Sequence, residues 1–316
     1  EQLFVVDVYG KDTTPKQLTK GVFDVGSIVG QSGNLLVVMR NDMNRAGEVY
    51  TINLKERKKG FLSLTQLSHF NDEAYKNIAT CPIKERIIKT TDGKDMLAWV
   101  IYPPDFDPNK KYPTLLYCQG GPQSIVSQFY SFRWNFQLMA SQGYIIIAPN
   151  RRGLPGFGVE WNAQISGDWG GQAMRDYLSA IDDIAKEPYV DKERLGAVGA
   201  SYGGYSIYYL AGIHQKRFKS FIAHCGVFNL QSMYGTTEEL FFNNNEIGGA
   251  YWEERNAVAQ KSYKEFNPIK KINNWDTPIL IIHGGKDYRV PEEQGFQAFT
   301  AAQLKGIRSE LLYFPD

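Results

Sequence analysis

Along the first eighty residues the apolar positions come in short runs cut by turn residues. "LFVVDV" (3–8), "NLLVVMR" (34–40) and "EVYTINL" (48–54) read as strands. "LFVVDV…KQLTKG" and "VYTINL…TQLSHF" are weakly alike at an offset of roughly 45 residues, the period at which strand-rich repeats build propeller blades. Residues 1–80 are therefore expected to be the last blades of a β-propeller, begun before the printed chain. A small sandwich or add-on sheet is the alternative.

From about residue 83 the pattern changes. "ERIIKT" and "MLAWVIYP" read as an antiparallel pair, and "TLLYC" (114–118) and "YIIIAP" (144–149) as buried strands. Between the last two, Phe129, Phe132, Phe136 and Met139 share one face of a helix over 129–142, stopped by Gly143. In "QAMRDYLSAIDDIAKEP" a second face carries Met174, Tyr177, Leu178, Ile181 and Ala185. Further alternation follows: strand 195–200, helix from 202, strands 219–224 and 278–283, helix 291–304, strand 309–314. Strands alternating with helices predict a mostly parallel sheet covered on both faces, hence an α/β domain over 81–316.

Composition narrows the function classes. Lys and Arg number 35 against 34 Asp and Glu, so no broad field favours nucleic acid or an anionic membrane. The Lys-rich runs at 55–60, 109–112 and 269–271 sit beside turn signals and read as solvated loops. No apolar run approaches the ~20 residues of a membrane span. Cys81, Cys118 and Cys225 are widely separated, which gives neither a disulfide framework nor metal-ligand spacing. No metal and no organic cofactor is expected.

The chemistry centres on "RLGAVGASYGGYSIYYL" (194–210). An apolar strand runs into G-x-S-x-G and then a helix, the setting of a nucleophile elbow, which makes Ser201 the candidate nucleophile. The N–H of Tyr202 opens the helix and can face a developing oxyanion. "TPILIIHGGKDYRVP" (277–291) puts Asp287 in a loop after a later strand. Ser201 and Asp287 thus both fall at carboxyl ends of strands, where open α/β sheets build sites. A base is still required. Of the four histidines, His69 lies in the strand-rich part, His214 at the far end of the helix, His224 in the wrong slot, and His283 before Asp287. None follows the last strand, so the base is expected just past Asp316.

These segments resemble one family closely. "QGGPQS" (119–124), "NRRGLPGFGVEW" (150–161), "GDWGGQAMRDYLSAIDDI" (167–184), "GASYGGY" (199–205) and "HGGKDYRVP" (283–291) resemble the catalytic domain of the prolyl oligopeptidase family of serine peptidases, most of all its bacterial dipeptidyl-peptidase V and acylaminoacyl-peptidase subgroups. The resemblance implies an α/β-hydrolase fold behind a β-propeller, oligopeptide substrates and truncation at both ends. It casts Ser201 as nucleophile and Asp287 as the acid that orients a histidine. Tyr202 N–H would be one oxyanion donor. The second would be the Gln119 side chain or the Gly121 N–H, with the backbone preferred. Val227, Phe228, Met233 and Tyr234 would line an apolar first specificity pocket, with core packing the plainer reading of each. Arg151 or Arg152 could meet a peptide carbonyl, though pairing with Asp168 or Asp176 is the simpler expectation.

The function so implied is dipeptide release from peptide N-termini, with an apolar residue at the cleavage site. Acylaminoacyl-peptidase, oligopeptidase and carboxylesterase activities are alternatives on the same site, and a noncatalytic binding module is a further one. The resemblance also allows for a homodimer. It points to a periplasmic or secreted protein, with the cytoplasm as the alternative.

Overall fold

A computed structural model describes residues 1–316. The chain divides into two compact units. The first comprises Glu1–Pro82, Pro103–Asp105 and Ser127–Gln142. Its main feature is an antiparallel meander of β3 (Asp24–Ser32), β4 (Leu35–Asp42), β5 (Arg45–Lys58) and β6 (Phe61–Gln66), preceded by a short ribbon of β1 (Phe4–Val5) and β2 (Lys16–Gln17). Val25, Leu36, Val38, Ile52 and Leu62 form its core.

The weak repeat does not yield two equal units. Its second copy falls in β5 and β6, while its first gives only the two-residue strands β1 and β2. Side chains explain the difference. The Asp7 carboxylate accepts from the Tyr9 and Gly10 N–H groups, and Asp12 from that of Thr14, so the backbone turns instead of extending.

The unit also holds two short helices, α1 (Asp72–Tyr75) and α2 (Phe136–Ser141). The helix expected over 129–142 shrinks to α2. Ser131 Oγ accepts from the Trp134 N–H, and Asn135 caps the helix by accepting from Leu138 N–H. Phe132, expected on the packed face, is 84% exposed. This segment belongs to the first unit and not to the α/β unit.

The second unit carries an eight-stranded sheet. In chain order its elements are β7 (Ile83–Lys89), β8 (Asp95–Ile101), β9 (Tyr112–Cys118), β10 (Ile145–Pro149), α3 (Val159–Ala163), α4 (Gln172–Ile184), β11 (Val190–Ala200), α5 (Tyr202–Ala211), β12 (Ser220–His224), α6 (Leu230–Thr236), α7 (Leu240–Glu246), α8 (Ala257–Glu265), β13 (Ile279–Gly284), α9 (Glu293–Leu304) and β14 (Ser309–Phe314). The strand order is β14-β13-β12-β11-β9-β10-β8-β7. Six strands run parallel from β10 to β14, and β8 and β7 close one edge antiparallel. This is an α/β-hydrolase sheet, mostly parallel as expected. Ile145, Ile146, Ile147 and Ala148 are all fully buried, as a strand covered on both faces requires. The chain leaves β9 toward β10 on one side and reaches β11 on the other. That reversal opens a crevice at the carboxyl ends of β9 and β11.

Candidate active site

Ser201 sits between the end of β11 and the start of α5, with φ 58° and ψ −121°. A non-glycine residue rarely holds positive φ, and such strain costs about 1–3 kcal/mol. The surroundings impose it. A Cβ on Gly203 would stand 2.1 Å from the Cys118 carbonyl oxygen, and one on Gly199 2.6 Å from that of Gly203. Backbone therefore packs against backbone on both sides of the serine. The Ser201 N–H donates to the His224 carbonyl at 3.0 Å, tying the turn to β12. Tyr202, first in α5, has an N–H with no intrahelical acceptor, at the positive end of the helix.

The loop after β9 faces this turn. A Cβ on Gly120 would lie 3.6 Å from Ser201 Cβ, so the loop passes directly beside it. Gly121 follows at φ 118° and is exposed. Its N–H donates to no group of the chain. The Gln119 side chain is buried, and its Nε2 donates to Ser124 Oγ at 3.1 Å. The amide named as an oxyanion donor is thus engaged within its own loop.

Asp287 lies in the loop after β13, part-exposed. Its Oδ1 accepts from the Val290 N–H at 2.9 Å and the Arg289 N–H at 3.2 Å. Buried His283, the penultimate residue of β13, bridges to the Val290 carbonyl at 2.7 Å through Nε2, so it holds the loop that presents the carboxylate. Ligand atoms of Cys225, His283 and Asp287 lie within 4.8 Å of one another. That trio is spaced for a cation; His283 Nε2 bonds the Val290 carbonyl, while its Nδ1 has no hydrogen-bond partner. The trio also places Asp287 beside the turn that follows β12. Since β12 lies between β11 and β13, Ser201 and Asp287 stand at one sheet edge two strands apart, about 10 Å at ~4.8 Å per strand.

The remaining candidates separate. Val227, Phe228 and Met233 are buried in the main core, with the Phe228 ring against Tyr208 and Trp275. Only Tyr234 of the four reaches the surface, where it meets Tyr251 and Trp252 edge-on and donates to Asn244 Oδ1. Tyr251 and Trp252 are exposed aromatics that sequence reasoning missed; the adjacent aromatic pair in "GGAYWEE" was the available signal. Arg152 pairs with Asp176 at 3.2 Å and Asp92 at 2.7 Å. Its hydrogen bonds hold the Asp92 carboxyl well below its ordinary range, while burial pushes Asp176 up. Asp168 pairs instead with Lys261. His69 bonds Asp72 in the first unit, and His214 bonds Thr277 and the Phe218 N–H beyond the far end of α5.

The model of the prolyl oligopeptidase family matches residues 130–316. The chain is 52% identical over 301 residues to dipeptidyl-peptidase 5 of Porphyromonas gingivalis, covering 95% of this chain and 43% of that protein. It is 49% identical over 306 residues to dipeptidyl-peptidase 5 of Porphyromonas endodontalis, covering 97% of this chain and again 43% of the relative. The chain thus spans less than half the length of these relatives. Among solved structures, the fold is similar to acylaminoacyl peptidase of Pyrococcus horikoshii, with a TM-score of 0.85 and 24% identity over the whole chain and 48% of the other.

Proposed function

The chain belongs to the prolyl oligopeptidase family, and from that membership we propose that it carries the catalytic part of a serine peptidase that releases dipeptides from the N-termini of oligopeptides. The observation that carries the reading is the strained φ of Ser201 at the strand-to-helix turn. Strain persists only where surrounding structure enforces it, and it lifts the hydroxyl clear of the sheet.

In this reading Ser201 Oγ attacks the scissile carbonyl carbon. Its proton passes to a histidine acting as general base. Asp287 fixes that histidine's tautomer, and the N–H groups of Tyr202 and Gly121 receive the oxyanion. The leaving amine takes the proton as the C–N bond breaks, leaving an ester on Ser201. Water then attacks the ester, the same histidine accepting its proton, and that proton returns to Ser201 Oγ as the acyl C–O bond breaks and the free acid departs. The names of the relatives support dipeptide release. Tyr234, with Tyr251 and Trp252 beside it, supports an apolar neighbour for the substrate. The four-stranded meander has the shape of a single propeller blade, which supports a propeller preceding the hydrolase unit.

Product length tests the assignment. The full gene product, given a peptide with a free N-terminus, is expected to release its first two residues together. It should leave the N-acetylated peptide uncut. Release of acetyl-amino acids would replace the assignment with acylaminoacyl peptidase. A kcat/KM far higher for a simple aryl ester than for any dipeptidyl amide would replace it with carboxylesterase.

A further inference from the structure

Two adjacent arginines follow β10, and they are used differently. Both are buried. Arg152 takes the carboxylates of Asp92 and Asp176. Arg151 forms no ion pair. Its guanidinium donates to backbone instead: Nη2 to the Gln119 carbonyl at 3.1 Å, and Nη1 to the carbonyls of Pro122 at 2.9 Å and Arg152 at 2.7 Å. Nε donates to Tyr177 Oη at 3.1 Å. The guanidinium also lies over the Tyr202 ring, 4.4 Å from its centroid. One side chain therefore grips the peptide groups on either side of Gly120 and Gly121, and touches the residue that follows Ser201.

Glu246 is the counterpart. It is 2% exposed and pairs with no cation. Its Oε1 accepts from Gln123 Nε2 at 2.9 Å, Ser166 Oγ at 2.9 Å and Asn245 Nδ2 at 3.0 Å, and its Oε2 from Trp169 Nε1 at 3.2 Å. Gln123 belongs to the same loop as Gly121. Trp169 accepts the Tyr202 hydroxyl on its carbonyl at 2.8 Å and meets the Tyr202 ring edge-on. Two buried groups of opposite sign, not paired with each other, thus bear on one gap: Arg151 touches both of its walls, and Glu246 touches the loop wall and reaches Tyr202 through Trp169. Burying a charge without a counter-ion is costly unless hydrogen bonds replace the water it loses. Here three of those hydrogen bonds hold the loop after β9, at the Gln119 and Pro122 carbonyls and the Gln123 amide.

We propose that Arg151 and Glu246 are positioning residues that set the gap between the Gly121 and Tyr202 N–H groups, the two donors to the oxyanion. The inference rests on the peptidase reading of Ser201. Such donors act only when aimed at the place the oxyanion will occupy, and a loop with two successive glycines does not hold its own N–H groups still.

The test compares R151M, R151K and E246Q in the full gene product, each checked by thermal melting. R151M is expected to lower kcat by about 10²-fold, the loss that follows removal of one oxyanion donor, with KM within about threefold and the pH profile unmoved. Affinity for a peptide boronate, which forms a tetrahedral adduct on serine, should fall by the same factor as kcat, while affinity for the product dipeptide stays. R151K should recover part of the loss, because a lysine keeps the charge but cannot reach two carbonyls at once. E246Q should lose about tenfold, since its amide turns an N–H toward donors. A folded R151M with kcat and boronate affinity within about threefold of wild type overturns the proposal. Should R151M fail to fold, wild-type kcat and boronate affinity in R151K overturn it. If wild-type protein gives no boronate adduct on Ser201, the peptidase reading itself fails, and this inference with it.

Discussion

The two ends of the candidate site are built by different means. Around Ser201, backbone lies so close to backbone that Gly199 and Gly203 have no room for a methyl group, and the residue between them is held at positive φ. The facing loop is strapped by buried Arg151. Around Asp287 the loop is open: Lys286, Tyr288 and Arg289 are exposed. Its shape comes from local hydrogen bonds and from His283 beneath it. A nucleophile and its oxyanion donors must be fixed to fractions of an ångström, and packing does that. An acid whose task is to orient a partner needs a set direction and access to it, which a short hydrogen-bonded loop provides.

Substitutions that act on one end only can break this contrast. The largest effect is expected at Gly203→Ala, whose Cβ would meet the Cys118 carbonyl oxygen at 2.1 Å. A loss of about 3 kcal/mol or more is expected in urea unfolding, whereas Tyr288→Ala in the acid loop should stay within about 0.5 kcal/mol. Equal losses at the two sites would remove the contrast. Next, Ser201→Gly should raise stability by about 1 kcal/mol, because glycine holds φ 58° without strain. No gain would mean the turn is relaxed.

A smaller effect separates the site from its scaffold. Burial holds His214 below its ordinary pKa, with Asp276 opposing the shift. Its Nδ1 accepts from the Phe218 N–H, which suits the neutral ring. A histidine depressed in the folded state contributes its full stability above the unfolded value of about 6.5, and that contribution is lost as pH falls through the folded value. Melting temperature should therefore fall as pH is lowered below about 6.5, and His214→Gln should shrink that fall. The smallest effect is expected from Gln119→Ala. With its amide already on Ser124, the change in kcat should stay within about threefold, against about 10² if the side chain were the oxyanion donor.

The same contrast governs what the sequence reveals. The sheet is legible because its strands are apolar on both faces, as in "YIIIAP", and α4 because Met174, Tyr177 and Ile181 keep a helical period that the core then buries. Over 129–142 an equally regular aromatic period misleads, because Ser131 and Asn135 take the backbone into turn and cap first. The helices α6 and α7 have seven residues each, too few to establish a period. At the site, the positions of Ser201 and Asp287 follow from local motifs on strand ends. The difference between Arg151 and Arg152 does not. It depends on residues 92, 119, 122, 176 and 177, which only the fold assembles. The depth of Phe228 is not legible for a similar reason: it is set by Tyr208 and Trp275, distant in sequence.

In the proposed reading Ser201 and Asp287 act as one unit through a shared histidine. Fluorophosphonate labelling of the full gene product, with the adduct mapped by mass spectrometry, addresses it most directly. A single adduct on Ser201 is expected, with a labelling rate lower by about 10³-fold or more in a folded Asp287→Asn variant. An adduct on another residue, or an unchanged rate in that variant, would contradict it.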